Sequence, residues 1–224
     1  MIITIDGPSG TGKSTVAKKV AAILGFAFFD TGAMYRAVAW DLLQKNIPMD
    51  DATAIQEVLQ NFQYEIHDVA GQKHYIVNGV DVTEVIRTPE VTAQASSIAV
   101  LPDVREAMWK IQRHFAQGID AVFEGRDMGS SVFPQAEAKI FLTARPEIRA
   151  ERRYQEWAAK QKNSAFSKEQ VLRELLERDE RDSTRAYAPL LKPRDAKEID
   201  TSDLDIDQVV STIIDFVHKK KHGS

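Results

Sequence analysis

The chain has 224 residues, a formal net charge of −4, no cysteine, and 43% hydrophobic and 28% charged residues. That is enough length for one well-buried α/β domain carrying a modest insertion, with the composition of an ordinary soluble globular protein. The lack of cysteine excludes a disulfide framework, a thiolate metal site and a cysteine nucleophile, and the slightly acidic balance argues against a nucleic-acid-binding surface spread over the molecule.

Ile2-Ile3-Thr4-Ile5 is a β-branched run that reads as a buried strand. It leads straight into Gly7-Pro8-Ser9-Gly10-Thr11-Gly12-Lys13-Ser14, which fits G-x-x-x-x-G-K-[ST] at every fixed position. A helical pattern follows from Thr15 to Leu24. Strand, glycine loop and helix in that order form a cradle for phosphate: backbone N–H groups turn inward and the helix N-terminus adds its dipole. Within this ATP-binding stretch, Gly7 to Thr15, Lys13 reaches the β- and γ-phosphates and the Ser14 hydroxyl is the expected magnesium ligand. Because the strand begins at Ile2, no leader segment is expected ahead of it, and no apolar run approaches membrane-spanning length. A cytoplasmic protein is the expectation.

Phe26 to Phe29 reads as a second buried strand, and Asp30 or Thr31 as the cap of a helix running to about Lys45. Asp51 to Asn61 reads as a short amphipathic helix. Between Phe62 and Arg87 the pattern changes to short strands, with Asn78-Gly79 as a tight hairpin signal, so a small antiparallel insert is expected. His67 and His74 lie in it without a third ligand at metal spacing and are read as solvated strand residues. Two helices are expected over Thr88–Ala99 and Pro102–Gln117, without a clean boundary between them. Ala121 to Phe123 is a third buried strand, ending in Glu124-Gly125-Arg126-Asp127, and Lys139 to Leu142 a fourth. From Pro146 the chain turns arginine-rich, in helical stretches over Pro146–Gln161 and Lys168–Thr184, with a polar, mobile connection over Lys160–Ser167. A short strand at Ala196–Asp200 and a helix at Ile206–Val217 close the chain, and His218 to His222 reads as a frayed tail. Strands alternating with helices give a mostly parallel sheet covered on both faces, with ligands beyond the C-terminal strand ends.

A phosphate loop alone does not choose a reaction. The N/T-K-x-D base-reading motif of a guanine-specific GTPase is absent, and Asp68-Val69-Ala70-Gly71 has the D-x-x-G spacing of a switch only inside the β insert. Arginine recurs instead at the loops around the phosphate site: Arg36, Arg126, Arg178, Arg181 and Arg185, beside Asp127, Asp179 and Asp182. Guanidinium groups grip phosphate oxygens bidentately and keep their charge, which suits a site that holds two nucleotides together. Arg178 and Asp182 are also spaced for surface i,i+4 pairing, so spacing alone leaves both readings open.

Together, Gly7 to Ser14, Asp30-Thr31-Gly32-Ala33-Met34-Tyr35-Arg36, Glu124-Gly125-Arg126-Asp127-Met128-Gly129, Ile140-Phe141-Leu142 and Arg178-Asp179-Glu180-Arg181-Asp182 resemble bacterial cytidylate kinase, a P-loop nucleoside monophosphate kinase. The likeness covers nearly the whole chain, including the β insert. It implies magnesium-dependent transfer of the ATP γ-phosphate to CMP or dCMP by a monomer, without nucleic-acid or membrane partners. The implied fold is a P-loop parallel sheet with helices on both faces, with a core over 1–30, 88–145 and 185–224. A monophosphate-binding region spans 31–87, its insert about 62–87, and a mobile lid spans 146–184. Carried over by position, Arg36, Arg126 and Arg185 match residues that hold the acceptor phosphate, with Thr31 and Tyr35 in the same motif as Arg36. Arg178 and Asp182 match pentose contacts, and Ser96, Arg105 and Asp127 match the cytosine readers. Ser96 read by itself is equally a small residue at a helix contact, and Arg105 equally a surface arginine beside Asp103 or Glu106. Arg149, Arg152 and Arg153 fall at the start of the lid; which of the three neutralises the transferring group stays open, with Arg153 set beside Lys13, Arg126 and Arg185 as the catalytic choice. Glu124 stands where some relatives have Asp, and Ser130 where many have Thr. A kinase for another acceptor such as UMP, or a non-catalytic nucleotide binder, are the alternatives.

Overall fold

The computed structural model describes residues 1–160 and 167–222. Two compact units emerge, Met1–Phe29 with Ala116–Ser224, and Asp30–Phe115.

The first unit is built on a five-stranded sheet, β1 (Ile2–Asp6), β2 (Ala27–Asp30), β6 (Ala121–Gly125), β7 (Ala138–Thr143) and β8 (Lys197–Asp200), in the order β2-β6-β1-β7-β8. β1 runs parallel to β6 and to β7, and β7 parallel to β8. Strand alternation sorts the side chains. Ile3, Ile5, Val122, Ile140 and Leu142 face one way and pack with Val16, Ala17 and Val20 of α1 (Lys13–Leu24) and Val209, Val210, Ile213 and Val217 of α8 (Ile206–His222). On the opposite face the Phe123 ring lies 4.6 Å from those of Phe29 and Phe133. α1 ends at Gly25, whose left-handed φ of 68° lets its N–H return to the last carbonyls. α6 (Pro146–Lys160) and α7 (Lys168–Thr184) pack on each other, and α7 opens with a Ser167–Gln170 capping box. Of the polar connection expected between these helices, 161–166 lie outside the described residues.

The second unit holds α2 (Thr31–Gln44), α3 (Ala52–Gln60), the antiparallel sheet β3 (Tyr64–Val69), β4 (Gln72–Val77) and β5 (Val80–Asp81), then α4 (Pro89–Ile98) and α5 (Pro102–Phe115). Asp30, not Thr31, caps α2 by accepting from the Ala33 N–H at 2.9 Å. Asn78 and Gly79 both take positive φ, 49° and 82°, which is the type I′ geometry that joins β4 to β5. Asp68 accepts from the Gly71 N–H at 2.9 Å, so the D-x-x-G spacing belongs to the β3–β4 turn.

Three expectations change. Residues 88–115, expected in the core, fall with Asp30–Arg87, since α4 packs on α2 and α5 on α3. Pro102 supplies the break that separates α4 from α5. The tail expected to fray from His218 continues α8 to His222, with Lys220 over the Phe216 ring and Lys221 4.9 Å from the Phe26 centroid.

Candidate active site

The parallel strands of the first unit deliver their C-terminal ends to one edge, where Asp6, Gly125, Thr143 and Asp200 stop. From Asp6 the chain enters the phosphate loop. Gly7 has φ 145°, and a Cβ there would stand 2.1 Å from the Leu142 carbonyl oxygen, so only glycine lets the loop leave the sheet at this point. Gly10 and Gly12 also have positive φ, 77° and 87°. Lys13 opens α1 and folds back, its Nζ donating to the Pro8 carbonyl at 2.7 Å. Burial, with Arg126 pushing the same way, pulls the Lys13 ammonium well below its usual range. Thr11 donates to the Pro8 carbonyl at 3.2 Å, closing the turn.

The exposed Ser14 hydroxyl donates to Glu124 Oε1 at 2.6 Å. In the sequence Glu124 stands out as a strand end and as a motif position where some relatives have Asp, not as a magnesium ligand. Its pairing with Ser14 shows only once β6 lies beside β1, which no sequence spacing reveals. Two hard oxygen donors side by side next to a phosphate loop suit magnesium, which takes one or two protein oxygens and completes its shell with phosphates and water.

Asp6 was also missed as a site residue. Its two oxygens accept the N–H groups of Met128 and Gly129 at 2.9 and 2.8 Å, fixing the π-type turn Met128–Val132 that follows Arg126-Asp127. Burial pushes this carboxyl up to about 7, the two N–H donors opposing it and the nearby Asp127 adding to it.

Around that turn four of the charged residues singled out in the sequence, Arg126, Asp127, Asp182 and Arg185, converge, while Arg181 is exposed. Arg126 Nε donates to Asp182 Oδ2 at 3.0 Å, and Arg185 stands 3.5 Å from Asp182 Oδ1 and 3.8 Å from Asp127 Oδ1. Arg185 Nε donates to the Ala188 carbonyl at 2.7 Å. Asp182 and Arg185 are buried, so the surface-helix reading of this stretch fails for them. Burial alone would raise the Asp182 carboxyl; Arg126, Arg178 and Arg185 together outweigh it and hold the group below its usual range. Arg178 is half-buried on the same helix.

The remaining arginines divide. Arg152 donates to the Thr201 hydroxyl and carbonyl at 2.9 and 2.6 Å, and that hydroxyl donates onward to the Thr11 carbonyl. Arg149 is buried against the phosphate loop. Arg153 pairs with Glu156 at 3.2 Å and lies over the Trp157 ring.

In the second unit, Arg36 Nη2 donates to Asp30 Oδ2 at 3.0 Å. Burial raises Asp30, but Arg36 and the Ala33 N–H hold it below its usual value. Thr31 and Tyr35 are buried on the same helix. Arg105 is 1% exposed, donates to the Ala99 carbonyl at 2.9 Å and lies 5.5 Å from the Tyr35 ring centroid, so it is not a surface arginine. Ser96 is half-buried on α4. His67 and His74 pair with Glu65 and Asp81 at 2.8 and 2.7 Å.

A sequence model of the cytidylate kinase family matches residues 3–219. A cytidylate kinase of Protochlamydia amoebophila is 49% identical, with 96% of each chain covered. One from Halalkalibacterium halodurans is 44% identical over 98% of each chain. A bifunctional pantoate ligase/cytidylate kinase of Trichormus variabilis is 47% identical over 98% of this chain and 41% of its own length. In fold, the chain is similar to the crystal structure of an uncharacterized protein from Eubacterium ventriosum, with TM-score 0.54, 13% identity, and 97% and 98% of the two chains covered. The family model spans the phosphate loop, the β insert and the arginine helices in one match, and this chain belongs to the cytidylate kinase family.

Proposed function

We propose that the chain transfers the γ-phosphate of ATP to CMP and dCMP, giving ADP and CDP or dCDP, with magnesium and as a monomer. The observation that carries this reading is the cluster of buried Arg185, Asp182 and Asp127 with half-buried Arg126 beside an intact phosphate loop. A protein that only sensed ATP has no use for buried cations on the acceptor side. In the reaction, an oxygen of the acceptor phosphate attacks the γ-phosphorus in line, and the bond to the bridging β–γ oxygen breaks to release ADP. The acceptor is already an oxyanion, so no general base is needed. Catalysis is positioning and charge stabilisation.

Within it, the backbone of Gly7 to Thr15 cradles the donor phosphates, and Lys13 leaves the Pro8 carbonyl to bind the transferred group. Ser14 and Glu124 would hold magnesium, which when bound neutralises charge on the β- and γ-phosphates. Arg36, Arg126 and Arg185 take the acceptor phosphate, with Thr31 and Tyr35 beside Arg36. Arg178 and Asp182 take the pentose. Ser96, Arg105 and Asp127 read cytosine: an arginine and a carboxylate complement O2, N3 and the N4 donor. Uracil places an acceptor where Asp127 needs a donor, a mismatch worth about 1–3 kcal/mol. The lid spans 146–184 with Arg149 and Asp179 staying on the phosphate loop as its anchored base, and from it Arg153 leaves Glu156 to neutralise the transferring group while closure excludes water. The test is ADP release with ATP and magnesium: turnover with CMP and dCMP supports the reading, and ATP binding without turnover on any nucleoside monophosphate contradicts it. Light scattering at working concentration tests the monomer.

A further inference from the structure

Arg149 and Asp179 sit on different helices, α6 and α7, and meet on one residue of the phosphate loop. Arg149 Nη1 donates to the Ser9 carbonyl at 3.1 Å and to Asp179 Oδ2, while Asp179 Oδ1 accepts the Ser9 N–H at 3.2 Å. Arg149 Nε donates to the Ala144 carbonyl at 3.0 Å, which fixes the guanidinium from its other side. The arginine side chain is 6% exposed and the carboxylate 17%. Next in the loop, Gly10 rests against the α6 backbone: a Cβ there would stand 2.9 Å from the Arg149 carbonyl oxygen. Both backbone polar groups of Ser9 are therefore held by one buried ion pair whose members are further hydrogen-bonded, the condition under which such a pair holds geometry.

We propose that Asp179 and Arg149 are positioning residues for the donor triphosphate, setting the tip of the phosphate loop before ATP arrives. This rests on the reading of Gly7 to Ser14 as the ATP site. A glycine-rich loop loses much conformational freedom when its N–H groups must converge on one anion, and a clamp formed on folding removes that cost from binding. The helix supplies its own control. Three residues on, on the same face of α7, Asp182 is held separately by Arg126 at 3.0 Å and by Arg185. A general loosening of α7 disturbs the acceptor side as well; loss of the clamp alone does not.

The test is steady-state kinetics with ATP and CMP varied separately, together with melting curves, on the parent chain, Asp179→Ala, Asp179→Asn and Arg149→Lys. The expected result is a KM for ATP raised about tenfold in Asp179→Ala and Arg149→Lys, with the KM for CMP within about twofold of the parent. Asp179→Asn, which keeps the shape and one acceptor oxygen, recovers part of the ATP affinity. An unchanged KM for ATP in both Asp179→Ala and Arg149→Lys overturns the proposal. So do KM values for ATP and CMP that rise together with a falling melting temperature and no recovery in Asp179→Asn. If Asp179→Ala does not fold, Asp179→Asn and Arg149→Lys carry the same comparison. A parent chain with no saturable ATP dependence removes the donor-site reading and the proposal with it; a parent that saturates, with unaffected variants, removes the proposal alone.

Discussion

Asp6 shows how one buried carboxylate connects two motifs that are far apart in sequence. It ends β1, and its two oxygens hold the N–H groups of Met128 and Gly129. Asp6→Asn turns one acceptor oxygen into a donor facing an N–H, at a cost of about 1–3 kcal/mol. The folded carboxyl keeps its proton up to about 7, against a usual 3.8, because burial disfavours its charge. Folding therefore takes up a proton between those values, and the stability that Asp6 contributes falls as pH rises through that window. The gap in melting temperature between the parent and Asp6→Asn should narrow from pH 4 to 7 and stay level above; a gap that widens with pH contradicts this. Arg185→Ala should lower turnover with CMP by about a hundredfold or more, the scale for losing one preorganised donor to a reacting group. It should also lower the melting temperature, since Asp182 and Asp127 lose a buried cation. Glu124→Gln should raise the magnesium concentration for half-maximal rate about tenfold, as expected for a carboxylate at or beside a metal. The sequence made the arginines and the loop legible because each carries its chemistry in its residue type. Asp6 was not legible as a site residue, and Glu124 and Asp179 stood in motifs without a role, because their meaning lies in partners 122, 110 and 170 positions away.

At the scale of elements, local signals were read well and packing was not. The Asn78-Gly79 turn is decided within two residues, so pattern sufficed for it, whereas the choice of Asp30 over Thr31 as cap and the clean break at Pro102 needed the backbone. The last turns of α8 were read as a frayed tail because His218 to His222 has no apolar stripe. The Lys220 and Lys221 ammonium groups lie over the Phe216 and Phe26 rings, contacts that periodicity does not register. The grouping of α4 and α5 was missed for the same reason: a helical pattern shows which face is apolar, not which element it meets. Gly7→Ala tests the close approach at the start of the phosphate loop. Its Cβ would stand 2.1 Å from a backbone oxygen of β7, which has no room to give. Overpacking of this kind costs about 1–3 kcal/mol or more, a fall in melting temperature of roughly 2–4 °C per kcal/mol for a chain of this size. A melting temperature equal to the parent's contradicts the account of that contact.

For the whole molecule, the proposed reaction is one transfer between two nucleotides on a phosphate loop and an arginine–aspartate cluster, with Ser96, Arg105 and Asp127 proposed to read cytosine. No helix among the described residues is long and apolar enough to cross a membrane. The fold class was legible throughout, since strands and helices alternate outside the insert; the grouping of 88–115 with the unit that starts at Asp30 was not, because it depends on which helices pair. The most direct measurement is an ADP-release assay with ATP and magnesium, offering CMP, dCMP, UMP and AMP in parallel. The account predicts turnover on CMP and dCMP, with UMP about tenfold or more behind, the value of one unpaired buried acceptor. Activity led by UMP or AMP would contradict the cytosine-reading residues, and no ADP from any of the four with ATP bound would contradict the transfer itself.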